Sequence, residues 1–283
     1  MKEQLIETEI KRLMEIMSIE VSEGFDEEGN PDFKYYAFDW DDNLMFMPTE
    51  IIVKSYGDTE VGMGTADFAE YRSLIGKENF DFKGHTIVGF ADNPFRNFGV
   101  DGNSQFVKDA LVAKTGPSWN DFVECINGGS IFSIITARGH NPETLREGVE
   151  AIVRDGKGGL SMESCVDSLK RYKGVIDGDS EEMFQEYLDL CRFHPVSFGA
   201  GSAANPEEEK IKALEGFIQH VNKLSDELKM TMELENDIKN NFVPTIGFSD
   251  DDYKNVENVK NYLDDKGEEN VNVYYTKTDK TKM

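Results

Sequence analysis

The chain has 283 residues, of which 39% are hydrophobic and 11% aromatic, so it has the apolar material for a sizeable core and is not globally disordered. Its 30 basic and 55 acidic side chains leave a net charge of −25, which argues against broad binding along phosphate backbones, because that needs clustered Lys and Arg. Cys125, Cys165 and Cys191 share no C-x-x-C spacing, which favours reduced buried thiols over a disulfide framework or a zinc site. No apolar run is long enough to span a membrane and the first residues are charged throughout, so a cytoplasmic protein with no membrane partner is expected.

In chain order, Leu5, Ile6, Ile10, Leu13, Met14 and Met17 fall on one face of an amphipathic helix over residues 2–18. That stripe must pack on the protein's own body, on a protein partner or on a second copy. An acidic linker rich in Gly and Pro follows over 20–32, so residues 1–32 stand apart from a main domain at 33–283. Residues 33–38 (FKYYAF) read as a buried strand that runs into Asp39-Trp40-Asp41-Asp42-Asn43. From about 45 to 102 the chain has many Gly and aromatic residues but no long period, which predicts an insertion of short strands and loops without its own core.

Helices are expected at 104–112 and 119–126, followed by a strand at 131–135 that ends in Thr136-Ala137-Arg138-Gly139. Asn141-Pro142-Glu143 supplies an N-cap, a first-turn proline and an early acid, and Asn205-Pro206-Glu207 repeats that signal. Between them lie a mostly polar helical insertion at 161–190, broken at 177–179, and a strand at 193–198. The second helix extends to about 238. A strand at 243–248 closes on Ser249-Asp250-Asp251-Asp252, a helix follows at 253–263, a strand at 271–275, and then a solvated Lys/Thr tail. Alternating strands and helices predict an α/β fold around a parallel sheet.

In such a sheet the carboxyl ends of the strands converge on one crevice. Asp39, Asp41, Thr136, Asp250 and Asp251 all stand at strand ends. Paired aspartates with a further acid from another strand make an oxygen-rich pocket suited to Mg²⁺. A carboxylate there can attack phosphorus while a second one protonates the leaving oxygen.

The segments AFDWDDNL, SIFSIITARG and PTIGFSDDDYKN, with a lysine from NPEEEKIKAL, resemble in order the motifs of the haloacid dehalogenase superfamily of phosphohydrolases, over about residues 33–275. The resemblance implies a three-layer Rossmann-like α/β fold with a parallel sheet and small insertions, here with an extra N-terminal helix. It implies Mg²⁺-dependent phosphomonoester hydrolysis through an aspartyl-phosphate, with Asp39 as nucleophile and Asp41 as general acid/base. Thr136 and Lys210, with Lys212 as the alternative, would hold the transferring phosphoryl group. The metal set is Asp39, Asp41 through its backbone carbonyl, Asp250 and Asp251. Asn43 stands where the family has Thr or Val, and Asn43 and Arg138 are the candidate substrate-binding residues. The substrate would be a phosphorylated small molecule or a phosphorylated nucleic-acid end.

Three other readings compete. Asp39, Asp41, Asn43 and Glu50 also occupy positions 1, 3, 5 and 12 of an EF-hand loop, but Leu44 stands where that loop needs Gly and a strand precedes it. Arg138 can pair with an acid instead of a substrate, and His140 lies close enough to the crevice to touch one. The second functional class is an assembly or binding protein on this fold with weak or no catalysis. A faint likeness to proteins of large tailed phages points the same way and would make the compartment a host cytoplasm.

Overall fold

The computed structural model describes residues 34–170, 176–198, 205–231, 244–277 and 281–282. The amphipathic segment and its linker, and the expected helix beyond residue 231, lie outside them. The strands are β1 (Lys34–Phe38), β2 (Met45–Phe46), β3 (Ile51–Ser55), β4 (Glu60–Met63), β5 (Phe80–Phe82), β6 (His85–Phe90), β7 (Lys114–Thr115), β8 (Phe132–Thr136), β9 (Arg192–Pro195), β10 (Thr245–Asp250), β11 (Val271–Tyr275) and β12 (Thr281–Lys282). The helices are α1 (Thr65–Tyr71), α2 (Asn103–Val112), α3 (Trp119–Asn127), α4 (Pro142–Arg154), α5 (Met162–Leu169), α6 (Ser180–Leu190), α7 (Pro206–Thr231) and α8 (Tyr253–Lys266).

The main sheet has the order β12-β11-β10-β1-β8-β9, and all its pairs are parallel except the short edge strand β12. Consecutive strands run outward from β1 through β8 to β9, and then the chain returns to the other side of β1 to lay down β10 and β11. The order therefore reverses between β1 and β10, and a crevice opens at such a switch point. Both faces are covered. Phe38 meets Phe122 of α3 edge-on at 5.4 Å, while Tyr35, of opposite parity along the strand, bonds Ser225 of α7 at 3.0 Å. All five residues of β8 are buried, as a central strand between two helical layers requires. The chain is thus a mixed α/β protein with a five-stranded parallel sheet, compatible with a Rossmann-like fold.

The first insertion leaves the body after β2, which pairs antiparallel with β7 (Met45 opposite Thr115), and the chain is back in the body by α2. It holds a second, antiparallel sheet in the order β4-β3-β6-β5, with α1 beside it. Contrary to the sequence reading, this sheet has a small core of its own in Val53, Met63, Ile75, Phe82 and Ile87. Each of its strands offers only one or two residues to that core, too few for a period-2 signal. Helix α2 belongs to the main body, where it packs on α4; Gly148 permits the approach, since a Cβ there would stand 2.6 Å from the Phe106 ring.

The second insertion is the helix pair α5 and α6, the latter begun by a capping box between Asp179 and Glu182. Strand β10 runs on to Asp250 and so carries Ser249 and Asp250 inside the ladder. The expected tail instead contributes β12. No helix among the described residues is long and apolar enough to cross a membrane.

Candidate active site

The ladder between β1 and β10 aligns Phe38 with Ser249, and the amide of Asp39 donates to the Ser249 carbonyl at 3.0 Å. Asp39, just past the end of β1, and Asp250, the last residue of β10, therefore stand side by side at the switch point. Lys210, in the second turn of α7, donates to both, at 2.7 Å to Asp39 Oδ1 and 2.7 Å to Asp250 Oδ2. All three side chains are buried. Asp250 is further held by the amide of Asp252 at 2.9 Å and by Asn255 Nδ2 at 3.1 Å. Lys212, the alternative lysine, is exposed and pairs with Glu209.

Asp251 completes a group of three carboxylates, each with an oxygen within 4.8 Å of the others. Burial pushes Asp39 well above the ordinary carboxylate range; Lys210 opposes the shift, and Asp250, Asp251 and Asp41 add to it. Asp251 is pushed up to about 8 by burial and then by Asp250 and Asp42. Burial lowers Lys210, but Asp250 and Asp39 outweigh it and the net shift is upward. Three acids against one lysine leave the cluster short of positive charge. Its donors are all hard oxygens with no sulfur or imidazole, so the residues present fit a hard divalent cation such as Mg²⁺.

Asp41 faces the other way. Arg138 grips it with two parallel bonds, Nε to Oδ2 at 2.8 Å and a terminal nitrogen to Oδ1 at 2.8 Å. The carboxylate of Asp41 is thus outside the three-acid cluster, and the sequence reading gave Asp41 a place at the metal only through its backbone carbonyl. Arg138 also reaches Thr49 Oγ1 at 3.1 Å and His140 Nε2 at 3.2 Å, and its plane lies over the rings of Phe98 and Phe106 at 4.6 and 5.2 Å. His140 Nδ1 meets Asn103 Oδ1 at 3.0 Å. Since Nε2 faces a guanidinium N–H and must accept, Nδ1 carries the proton and the ring is neutral. Burial first, and then Arg138, lower His140 to about 4.

Asn43 is fully buried and bonds to four residues. Its amide nitrogen donates to the carbonyls of Asp39 and Ser249, each at 3.1 Å, and its oxygen accepts from the hydroxyls of Ser118 and Thr276, each at 2.7 Å. The chain crosses directly over it at Gly116, where a Cβ would stand 2.4 Å from the Asn43 carbonyl oxygen.

Several expectations change with this geometry. Asn43 and Arg138, expected at the substrate, have their polar groups engaged inside the protein and are 0% and 1% exposed. His140 is equally buried. Thr136 sits at the end of β8 as expected, buried, with its hydroxyl accepting from the Arg138 amide at 3.4 Å. Of the three apolar residues that follow Leu44, Met45 and Met47 are core and Phe46 is exposed. The EF-hand reading fails, because β1 leads into Asp39 where a helix is required and Asn43 has no free oxygen.

Sequence reasoning missed Asn255, Thr49, Ser118 and Thr276. Asn255 was legible: it lies one turn into a helix capped by Asp252, and helical side chains point back toward the N-terminus. The other three bear no local signal. Comparison with family models, with curated proteins and with solved structures returns no match for the chain.

Proposed function

We propose that the chain is a phosphomonoester hydrolase of the haloacid dehalogenase type, acting through an aspartyl-phosphate on Asp39. One observation carries this reading: at the reversal of strand order, two strand-end aspartates are bridged by a single buried lysine at 2.7 Å to each. A nucleophilic carboxylate needs a cation beside it to approach an anionic phosphate, and Lys210 is one, held ionised by the same acids. Asp39 attacks phosphorus, the ester bond breaks, and the leaving oxygen takes a proton from Asp41. Asp41 then accepts a proton from a water that attacks the acyl phosphate, freeing Asp39 and inorganic phosphate.

Asp39, Asp250 and Asp251 would hold Mg²⁺, which when bound offsets the negative charge of the phosphoryl group. Thr136 and Lys210 orient that group, and Asn43 fixes the backbone from which Asp39 projects. The substrate class is a phosphorylated small molecule or a phosphorylated nucleic-acid end.

Phosphate release from a panel of both substrate kinds, with and without Mg²⁺, tests the reading. Mg²⁺-dependent turnover that is lost in Asp39→Asn while the circular dichroism spectrum is kept supports it; equal turnover in that variant overturns it. One observation favours a non-catalytic assembly protein instead: each oxygen of Asp41 already accepts from Arg138, so the proton it passes must use the remaining lone pair of one oxygen while the fork stays in place. No release from any substrate, with Mg²⁺ still bound by calorimetry, would favour that second reading.

A further inference from the structure

Arg138 follows the candidate phosphoryl-holding Thr136 by two residues, a position where a guanidinium invites assignment as an anion receptor. Its surroundings contradict that role. Of its five N–H donors, Nε and one terminal N–H go to Asp41, a second goes to Thr49 and a third to His140. Phe98 and Phe106 lie against its plane, and it is 1% exposed. An arginine that receives phosphate presents its fork to open space, whereas this fork is filled.

The polarity of the surrounding bonds is consistent throughout. Thr49 gives its hydroxyl proton to Asp109 Oδ2 at 3.1 Å and so meets Arg138 with a lone pair. Asp109 is steadied by Gln105 at 2.8 Å. His140 accepts from Arg138 because its proton is on the side of Asn103. The frame thus draws on both crossings of the first insertion, Thr49 on the way out and Phe98 with Asn103 on the way back. Asp41 has no such frame of its own, since it sits in the turn after β1, before Asp42 with φ 58°, and is the more exposed member of the pair.

We propose that Arg138 is a positioning residue for Asp41: it aims the carboxylate of the acid/base through a two-pronged grip and does not touch the phosphoryl group. The inference rests on the hydrolase reading above. A fork fixes both oxygens of a carboxylate in one plane, which a lysine cannot do, so Arg138→Lys keeps the charge and loses the aim.

The test compares kcat/KM, which reports the step in which the leaving group departs, for p-nitrophenyl phosphate and ethyl phosphate in four proteins: wild type, Asp41→Asn, Arg138→Lys and the double variant. The poor leaving group needs its proton and the good one does not. We expect Arg138→Lys to lower the ethyl phosphate value about 100-fold and the p-nitrophenyl value by less than about 10-fold, in the pattern of Asp41→Asn. The double variant should be no worse than Asp41→Asn alone, because the two residues act as one unit.

Equal losses on both substrates, a raised KM at unchanged kcat, or a further loss in the double variant would each overturn the inference. In those cases the selectivity of Asp41→Asn still stands as support for the hydrolase reading. If the wild type turns over neither substrate, reading and inference fall together. Should Arg138→Lys not fold by circular dichroism, Thr49→Val removes one guanidinium contact and leaves the fork. The same substrate selectivity at a smaller size is then expected, and equal losses on both substrates overturn the proposal.

Discussion

Asp39 and Asp41 are two residues apart on one turn, yet they live in opposite electrostatic surroundings. Asp39 shares the point charge of Lys210 with Asp250, and Asp251 adds a third acid, so that half of the crevice has more negative charge than its lysine offsets. Asp41 has both oxygens in a guanidinium fork that is itself packed between aromatic rings. A lysine is a compact charge that can be shared or drawn aside, while an arginine fork dictates geometry. The first half is left with excess negative charge that the proposed Mg²⁺ would offset, while the second holds a carboxylate still. Neither property belongs to the aspartates, since each comes from an element far along the chain.

The largest expected effect comes from removing the shared charge. Lys210→Met leaves Asp39 and Asp250 buried against each other and should cost about 3–5 kcal/mol without divalent cations, the usual result of breaking a buried pair. Denaturant melts with and without Mg²⁺ check this, and a loss that Mg²⁺ does not reduce would break the contrast between the halves.

Next comes pH, which attacks the halves from opposite sides. The folded chain holds His140 neutral down to about 4 while the unfolded chain protonates it near 6.5, so the stability present above 6.5 is lost on acidification toward 4. At about 1.4 kcal/mol per unit this limb is worth roughly 3 kcal/mol, and His194, also lowered to about 4, adds to it. His140→Asn should flatten its share. Asp251 behaves oppositely: the folded chain keeps its proton up to about 8, so stability present below 3.8 is lost as pH rises through 8. Above pH 6.5 the histidine limb is gone and the raised carboxylates of Asp251 and Asp39 remain, so melting temperatures there should fall with pH, less so in Mg²⁺. A flat profile between 6.5 and 9 would show that Asp251 does not feel the cluster.

A smaller effect is expected at the join between the halves. Asn43→Thr, which restores the residue type of the resembled family, cannot satisfy two carbonyls and two hydroxyls at once. It should cost about 1–3 kcal/mol and bring no gain in turnover. A thermal melt together with a phosphatase assay checks both. The smallest effect sharpens the lysine assignment: Lys212→Met, at an exposed pair with Glu209, should leave both the melting temperature and activity unchanged.

Local physics made the frame of the protein readable in advance. The apolar runs around residues 34–38 and 132–136 are strands in either context, and proline after asparagine begins a helix at 142 because its φ is already helical and its missing N–H is not needed there. The strand-end acids followed from those runs, and with them the crevice.

What the local pattern could not decide were the partners. Lys210 and Lys212 have the same chemistry on the same helix, and only the face that α7 turns toward β1 separates the buried one from the solvated one. Arg138 finds Asp41 97 residues away, Lys210 finds Asp39 across 171, and Asn43 reaches Ser249 across 206. The core of the first insertion escaped for the same reason, since its five residues come from separate short elements. Backbone preference is settled by neighbours within a few bonds, whereas the partner of a buried charge is settled by which distant segments the sheet brings together, and that depends on the whole folded chain.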